Sequence, residues 1–134
     1  MSDSSNVQAQ EHVPADLEAT IKISTICQNI FKEFVLDVFY LIMVEKDIYK
    51  SEILQRFQEE AGIEGKSQKY RFQVSEALAR LEGAMLIAYW KEGNFERYYL
   101  TQYGQVARYI LRDMIEENPL ILKGTKITSK FYGI

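Results

Sequence analysis

Hydrophobic residues recur every three or four positions between residues 15 and 46, a spacing that predicts a helix with one continuous apolar face. The positions of this stripe are Ile23, Ile26, Ile30, Phe34, Val38 and Ile42. A second set of apolar residues widens it, namely Phe31, Val35, Phe39 and Met43. Because a helix that packs on one side only needs no such broad apolar surface, we expect this helix to mediate dimerisation. One long core helix, or two helices split near Lys32 and Glu33, would explain the same pattern.

The first thirteen residues differ from the rest of the chain in composition. Residues 1–13 are rich in Ser, Asn, Gln and acidic side chains, and we expect them to form a disordered leader. Pro14 then suits the first turn of a helix, where Asp16 and Glu18 lie near the positive end of the helix dipole. A single domain over residues 14–118 is therefore predicted to begin with the dimerisation helix.

Two shorter helices, separated by a glycine-containing loop, are predicted next. Residues 51–60 have helical spacing, and Gly62 and Gly65 loosen the loop that follows them. The second of the two helices covers residues 68–82, with Ser67 as its N-cap. Its predicted buried positions are Val74, Ala77, Leu78 and Leu81, and its predicted outward positions are Lys69, Phe72, Gln73, Glu76 and Arg80.

A β-ribbon is predicted after this helix. Residues 86–90 and 95–100 favour strands, and Lys91–Asn94 supplies turn residues between them. Upstream, Asp47–Lys50 interrupts the helical pattern and fits a short additional strand.

The last predicted helix begins after Thr101, whose hydroxyl is a suitable N-cap, and ends at Asn118–Pro119. Its apolar face comprises Tyr103, Val106, Ala107, Ile110, Leu111 and Met114. Residues 119–134 form a short, half-apolar and basic C-terminal tail. We expect this tail either to pack on a partner subunit or to follow a phosphate backbone.

The order of helix, ribbon and capped helix resembles a winged helix-turn-helix. The sequence Leu78-Ala79-Arg80-Leu81-Glu82, followed by Leu86-Ile87 and by Arg97-Tyr98-Tyr99-Leu100-Thr101 with Gly104, is similar to the core of the PadR and MarR families of bacterial transcriptional regulators. The segment from Tyr49 to Leu54 resembles the start of the second helix of PadR-type proteins. The similarity covers roughly residues 48–115. These families usually carry Gly where this chain has Met85.

The resemblance implies an α+β, mainly helical fold, a winged helix-turn-helix with a two- or three-stranded β-wing and long flanking N- and C-terminal helices. It further implies that residues 68–82 enter the major groove of double-stranded DNA and that the tip of the ribbon touches the adjacent backbone. Thr101 would cap the following helix, and Gly104 would permit close packing at the junction. Two copies would then bind successive major grooves.

The charge of the chain is acidic overall but locally basic. Its 134 residues include 16 basic and 19 acidic side chains, for a net charge of −3, which argues against a protein that coats nucleic acid non-specifically. Basic side chains that donate to phosphate, and polar ones such as Gln73 that pair with an adenine edge, nevertheless cluster in the predicted helix and ribbon. The DNA-binding candidates are Lys66, Ser67, Lys69, Arg71, Gln73, Arg80, Lys91, Asn94 and Arg97.

We therefore expect a sequence-specific double-stranded DNA-binding protein, a homodimeric transcriptional regulator that acts as a repressor. A plasmid-partition or replication-control DNA-binding protein is an alternative on the same scaffold. A protein–protein interaction module without DNA binding is another, and the acidic balance would suit it. Taken alone, residues 68–82 would also fit an ordinary solvated helix face.

The sequence contains no pattern typical of an enzyme. His12 is the single histidine and lies in the leader, so neither a metal site nor a cofactor is expected, and no nucleophile has a base in reach. Cys27 is the single cysteine, which excludes an internal disulfide and favours a reducing, cytoplasmic environment. Its apolar helix predicts a buried, inert thiol. No apolar run approaches the roughly 18 residues of a membrane span. A small-molecule effector bound among the tyrosines near Trp90 is an unsupported alternative.

Overall fold

The computed structural model describes residues 21–61 and 68–133. Within these ranges the fold is α+β and mainly helical, with six α-helices and a three-stranded antiparallel sheet. In chain order the elements are α1 (Ile23–Ile30), α2 (Glu33–Val44), β1 (Ile48–Tyr49), α3 (Lys50–Ala61), α4 (Gln68–Gly83), β2 (Ile87–Glu92), β3 (Phe95–Leu100), α5 (Gln102–Glu117), a 3₁₀ turn (Pro119–Leu122) and α6 (Thr128–Phe131). The predicted class and order of elements are confirmed. The predicted leader and the first turn at Pro14 lie outside the described residues.

The N-terminal apolar stripe forms two helices rather than one. The chain leaves helical geometry at Phe31 and Lys32, and Glu33 opens α2 with a φ of 48°. Phe31 is buried, with its ring centroid 4.6 Å from that of Phe39. The break lets α1 pack against α5 while α2 packs against α4. The prediction of one long helix is therefore wrong over the described residues, and the split near Lys32 and Glu33 is confirmed.

Helix α2 lies at the centre of the core. All eight residues from Val35 to Ile42 are buried, on every side of the helix. They are covered by α4, β3 and α6 of the same chain. The broad apolar surface of α2 is thus buried by other elements of the same chain. Its breadth is therefore no argument for dimerisation, which corrects the reasoning from sequence.

The C-terminal segment packs on α2 and is not a separate tail. Leu122 and Ile127 are buried, and the buried carboxylate of Asp37 in α2 holds the chain around Ile127. This carboxylate accepts hydrogen bonds from the backbone amides of Lys126, Ile127 and Thr128 and from the Thr128 hydroxyl, at distances between 2.6 and 3.2 Å. The half-apolar composition of residues 119–133 therefore reflects a core element, in place of the predicted arm or phosphate-following segment.

The sheet links the start of α3 to the ribbon. Its strand order is β1–β3–β2, and both pairs are antiparallel. β2 and β3 form the ribbon and are joined by Gly93 and Asn94, with Gly93 at a φ of 65° that favours glycine. β1 adds only Ile48 and Tyr49 along the edge of β3, which brings the first turn of α3 beside the ribbon.

Thr101 and Gly104 fix the start of α5 against the ribbon. The Thr101 hydroxyl accepts a hydrogen bond from the Gly104 amide at 3.1 Å and donates one to the Met85 carbonyl at 2.6 Å. A Cβ on Gly104 would lie 2.1 Å from the carbonyl oxygen of Leu86. The predicted cap and the predicted close packing are confirmed. Met85 itself has a φ of 66°, in the left-handed region that favours glycine.

Candidate nucleic-acid interface

Helix α4 turns one side to the core and the other to solvent. It packs on α2 and α3 through Tyr70, Val74, Ala77, Leu78 and Leu81, which confirms the four predicted buried positions. The exposed positions are Arg71, Phe72, Glu76, Ala79, Arg80 and Gly83. A helix of 16 residues is about 24 Å long. Its outer side is therefore uncovered, and an α-helix has a width that fits a major groove.

Two arginines border the outer side of α4. At about 100° per residue, Arg71 lies on the edge next to the ribbon and Arg80 lies on the opposite edge. Both side chains are exposed, and within the described residues neither forms a hydrogen bond or an ion pair. Gln73 is half-buried on the Arg80 side. The outer side of the helix thus carries along each edge a guanidinium group that has no partner in the described part of the chain.

The remaining predicted contacts of this region fall into two groups. Lys66 and Ser67 lie outside the described residues, and of Lys69 only the helical backbone is described. Lys91 and Asn94 are exposed at the end of the ribbon. The ribbon tip therefore offers one amine and one amide to solvent beside α4.

Arg97 is committed to contacts within the protein. Its guanidinium donates to the Glu92 carboxylate at 2.6 Å, to the Asp47 carbonyl at 2.7 Å and to the Tyr49 hydroxyl at 2.5 Å. It also lies 3.9 Å from the centroid of the Tyr49 ring. Hydrogen bonds from Tyr49 and Arg97 lower the pKa of Glu92. These contacts tie β1 to the ribbon and use three of the five guanidinium donors, which gives Arg97 a structural role. Its contact with DNA stays a prediction.

A groove of about 400 Å³ separates the first turn of α3 from α4 and the ribbon tip. Its polar lining combines donors and one carboxylate, namely Lys50, Ser51, Arg71, Ser75, Asn94 and Glu96. Lys50 forms no ion pair within the described part of the chain. Sequence reasoning missed Lys50 because its position depends on the pairing of β1 with β3, and its place just before a helical pattern was the only signal.

Three carboxylates limit the positive charge of this surface. Glu76 is exposed on α4, while Glu82 and Glu96 are half-buried where α4 meets the ribbon. Burial and then the nearby Glu96 carboxylate raise the pKa of Glu82. The Tyr98 hydroxyl donates to Glu96 at 2.9 Å. Positive charge on the described part of this surface is therefore local, at Lys50, Arg71, Arg80 and Lys91.

Phe72 is a second residue whose importance the sequence did not reveal. Its side chain is 73% exposed on the outer side of α4, although burying a phenylalanine ordinarily contributes about 1.5–3 kcal/mol. Helical spacing placed it outward, but spacing alone does not say whether a neighbouring element covers it. The ring therefore forms an exposed apolar surface between Arg71 and Arg80.

The described residues lack the arrangements that a metal site or a membrane span requires. They contain no group of three or more His, Cys, Asp or Glu side chains placed to hold a metal ion. None of their helices combines the length and hydropathy needed to cross a bilayer. Cys27 is fully buried, as predicted, and burial raises the pKa of its thiol to about 11, which disfavours the reactive thiolate.

A comparison of the chain with protein-family models finds no matching family, and a comparison with curated proteins finds no matching sequence. The interface is characterised by its geometry, an exposed helix with an arginine on each edge beside a groove that the ribbon borders.

Proposed function

We propose that the protein is a winged helix-turn-helix that binds double-stranded DNA with sequence preference, with α4 as the recognition helix and the β2–β3 ribbon as the wing. The observation that carries this proposal is the position of Arg71 and Arg80 on opposite edges of an exposed helix, where neither has a partner among the described residues. A major groove is bordered by two phosphate backbones, so a helix lying in it gains from positive charge along both edges.

The groove beside α4 adds donors for one of these backbones. Lys50, Arg71 and Asn94 line it from three different elements, so a phosphate placed there would be contacted by α3, α4 and the wing together. Lys91 extends the same surface along the wing. The nearby carboxylates weaken affinity for any duplex, which favours sequence-dependent binding over coating.

Two copies are proposed to associate through α1 and α5. An apolar groove of about 760 Å³ lies between α1, the turn before β2 and α5, and Lys22 is the one charged residue in its described lining. Its exposed apolar side chains are Ile21, Met85, Tyr103 and Val106. A second copy suits this surface because the same apolar patch on both partners gives a closed two-fold interface, with Lys22 the one charged residue that each copy brings from the described lining. The exposed Tyr109 continues the stripe of α5 at the spacing of helix packing.

Such a dimer would present two α4 helices to successive major grooves, so the binding site is expected to be palindromic or directly repeated. Repression of transcription is the role we propose for it. Plasmid partition or replication control would use the same contacts, and the recovered sequence would distinguish these processes.

A protein-interaction module without DNA binding is the second candidate. It is favoured by one observation, the presence of the exposed rings of Phe72 and Phe95 on the same side as Glu76, Glu82 and Glu96. A basic protein segment with apolar side chains would complement that surface.

Selection of bound fragments from random duplexes tests the proposal. We expect one enriched motif, and we expect Arg71→Glu or Arg80→Glu to abolish its binding. Lys123→Glu, an equal charge change at an exposed position on the C-terminal segment, is the control and should retain binding. Absence of any enriched duplex at low salt would favour the interaction module.

Light scattering coupled to size exclusion tests the dimer. The full chain is expected to have the mass of two copies, and Val106→Glu is expected to give a monomer. A monomeric wild-type protein at micromolar concentration would contradict the paired-groove mechanism. Dimers that form only after deletion of residues 1–20 would show that this segment fills the groove of the full chain. That result would also contradict the paired-groove mechanism.

A further inference from the structure

Phe72 lies at the centre of the outer side of α4. At about 100° per residue it is roughly opposite the buried Val74, and Ala79 and Gly83 follow it along the same line. Arg71 and Arg80 lie to either side of that line. From Phe72 to Gly83, where the side chains are described, the midline of the helix is thus apolar or small except at Glu76. The midline is the part that would reach deepest into a groove.

The major groove offers one apolar group to such a surface. Base edges there present hydrogen-bond donors and acceptors, and the exception is the C5-methyl group of thymine. Arginine and lysine pair with guanine, and asparagine and glutamine pair with adenine. From Phe72 to Gly83 the midline holds none of these four residue types, because Gln73 is half-buried on one edge and the arginines border the helix. Gln68 lies one turn before Phe72 on the same line, and only its helical backbone is described. Aromatic rings and alanine methyl groups are among the side chains that contact the thymine methyl group.

The free protein leaves the Phe72 ring 73% exposed. Its burial against a methyl group would therefore be a gain realised only on binding. Glu76, one turn further along α4, can accept a hydrogen bond from the amino group of cytosine. The same face thus combines an apolar ring, Phe72, with a hydrogen-bond acceptor, Glu76.

We infer that Phe72 determines the sequence preference of the protein by contacting the C5-methyl group of a thymine in each half-site, an inference that rests on the proposed DNA binding. Phosphate contacts from Arg71 and Arg80 position the helix, and Phe72 selects the base. Glu76 favours a cytosine nearby.

Deoxyuridine substitution tests this inference, because deoxyuridine differs from thymidine only in lacking the methyl group. In the duplex selected with the wild-type protein, each thymine is replaced in turn and the dissociation constant is measured. At the thymine that faces Phe72, affinity is expected to fall about fourfold, the loss that corresponds to one buried methyl-sized group. Other thymines of the site are expected to tolerate the change.

Three variants assign the effect to the ring. Phe72→Ala is expected to bring the thymine-to-deoxyuridine affinity ratio close to one while salt-dependent binding persists through the arginines. Phe72→Leu keeps an apolar contact and is expected to retain part of the ratio. Phe131→Ala, which removes a similarly exposed ring on α6, is the control and should keep the full fourfold ratio. Circular dichroism checks that each variant is folded.

The outcomes separate this inference from the proposed function. Wild-type binding that is insensitive to deoxyuridine at every position, or a Phe72→Ala variant that keeps the fourfold ratio, would overturn the role of Phe72 and leave DNA binding intact. Failure of the wild-type protein to bind any duplex would instead contradict the proposed function.

Discussion

Helices α2 and α4 pack against each other, yet they differ in whether their charged side chains are buried and paired. In α2, Asp37 is fully buried and its carboxylate accepts four hydrogen bonds from the C-terminal segment. In α4, Arg71 and Arg80 have no partner within the described residues. The buried carboxylate is therefore fully hydrogen-bonded, while the two arginines of the neighbouring helix find no partner in residues 21–61 and 68–133. The difference separates polar groups that hold the chain together from those that are available to a ligand.

The ribbon repeats this contrast with a single residue type. Arg97 donates to three groups of its own chain, while Arg71, at the nearby groove, donates to none that the structure describes. Substitutions at the inward groups should therefore change stability, and substitutions at the outward groups should change binding.

Removal of the Asp37 carboxylate should have the largest effect on stability. Asp37→Ala leaves the buried amides of Ile127 and Thr128 without an acceptor, and the free energy of unfolding is expected to fall by about 3 kcal/mol. Asp113→Ala, at an exposed position on α5, should change it by less than about 0.5 kcal/mol. Urea denaturation measures both, and equal stabilities would refute the role of Asp37 in holding the C-terminal segment.

Gly104→Ala should have the next largest effect. The added methyl group would meet the Leu86 carbonyl at 2.1 Å, so the ribbon must shift and the free energy of unfolding is expected to fall by about 2 kcal/mol. Gly83→Ala is the matched control, since a Cβ at Gly83 has no atom within 4 Å. Thermal and urea unfolding of the two variants compare them, and a fully stable Gly104→Ala would contradict the close approach.

Arg71→Gln and Arg97→Gln should affect different properties. Removal of one phosphate-binding guanidinium is expected to weaken affinity for the selected duplex about fivefold in Arg71→Gln, with unchanged stability. Arg97→Gln should lower the melting temperature and leave the affinity of the folded protein close to that of wild type. Fluorescence anisotropy and thermal denaturation measure the two properties. The opposite assignment would contradict the contrast between the inward and the outward arginine.

Met85→Gly should have the smallest effect. Met85 has a left-handed backbone, which glycine adopts without strain. Relief of that strain is partly offset because glycine gives the unfolded chain more freedom. The free energy of unfolding is therefore expected to rise by about 0.5 kcal/mol. Met85→Ala keeps the Cβ and should show no gain. Both are best measured in the Val106→Glu background, so that dimerisation does not contribute. A gain in Met85→Ala equal to that in Met85→Gly would point to removal of the exposed side chain as the cause.

Local signals predicted much of the fold and part of the interface. Helical spacing separated Val74 and Leu78 from the outward side of α4, because that pattern depends only on neighbours three or four residues away. The Thr101 cap was predicted because a helix cap leaves a local signature in the sequence. The close packing at Gly104 was predicted from the resemblance to PadR and MarR proteins.

Long-range contacts account for what the sequence did not predict. The break at Phe31 depends on its packing with Phe39 in the core, and the docking of the C-terminal segment depends on Asp37, almost ninety residues away along the chain. A lone aspartate inside an apolar run was the only signal for that contact. Arg97 and Arg71 look alike in the sequence, and only the register of β1 on β3 shows which of them is occupied.

The most direct measurement is the salt dependence of duplex binding by the wild-type protein and by Arg71→Gln and Arg80→Gln. Affinity for the selected duplex is expected to fall linearly on a plot of log K against log salt concentration. Each substitution should make this plot less steep. The expected change in slope is about 0.9 for each phosphate that the replaced arginine neutralises, counted in each copy of the wild-type protein. Undetectable binding at about 50 mM salt, or slopes that are identical in all three proteins, would contradict a DNA-binding role for the outer side of α4.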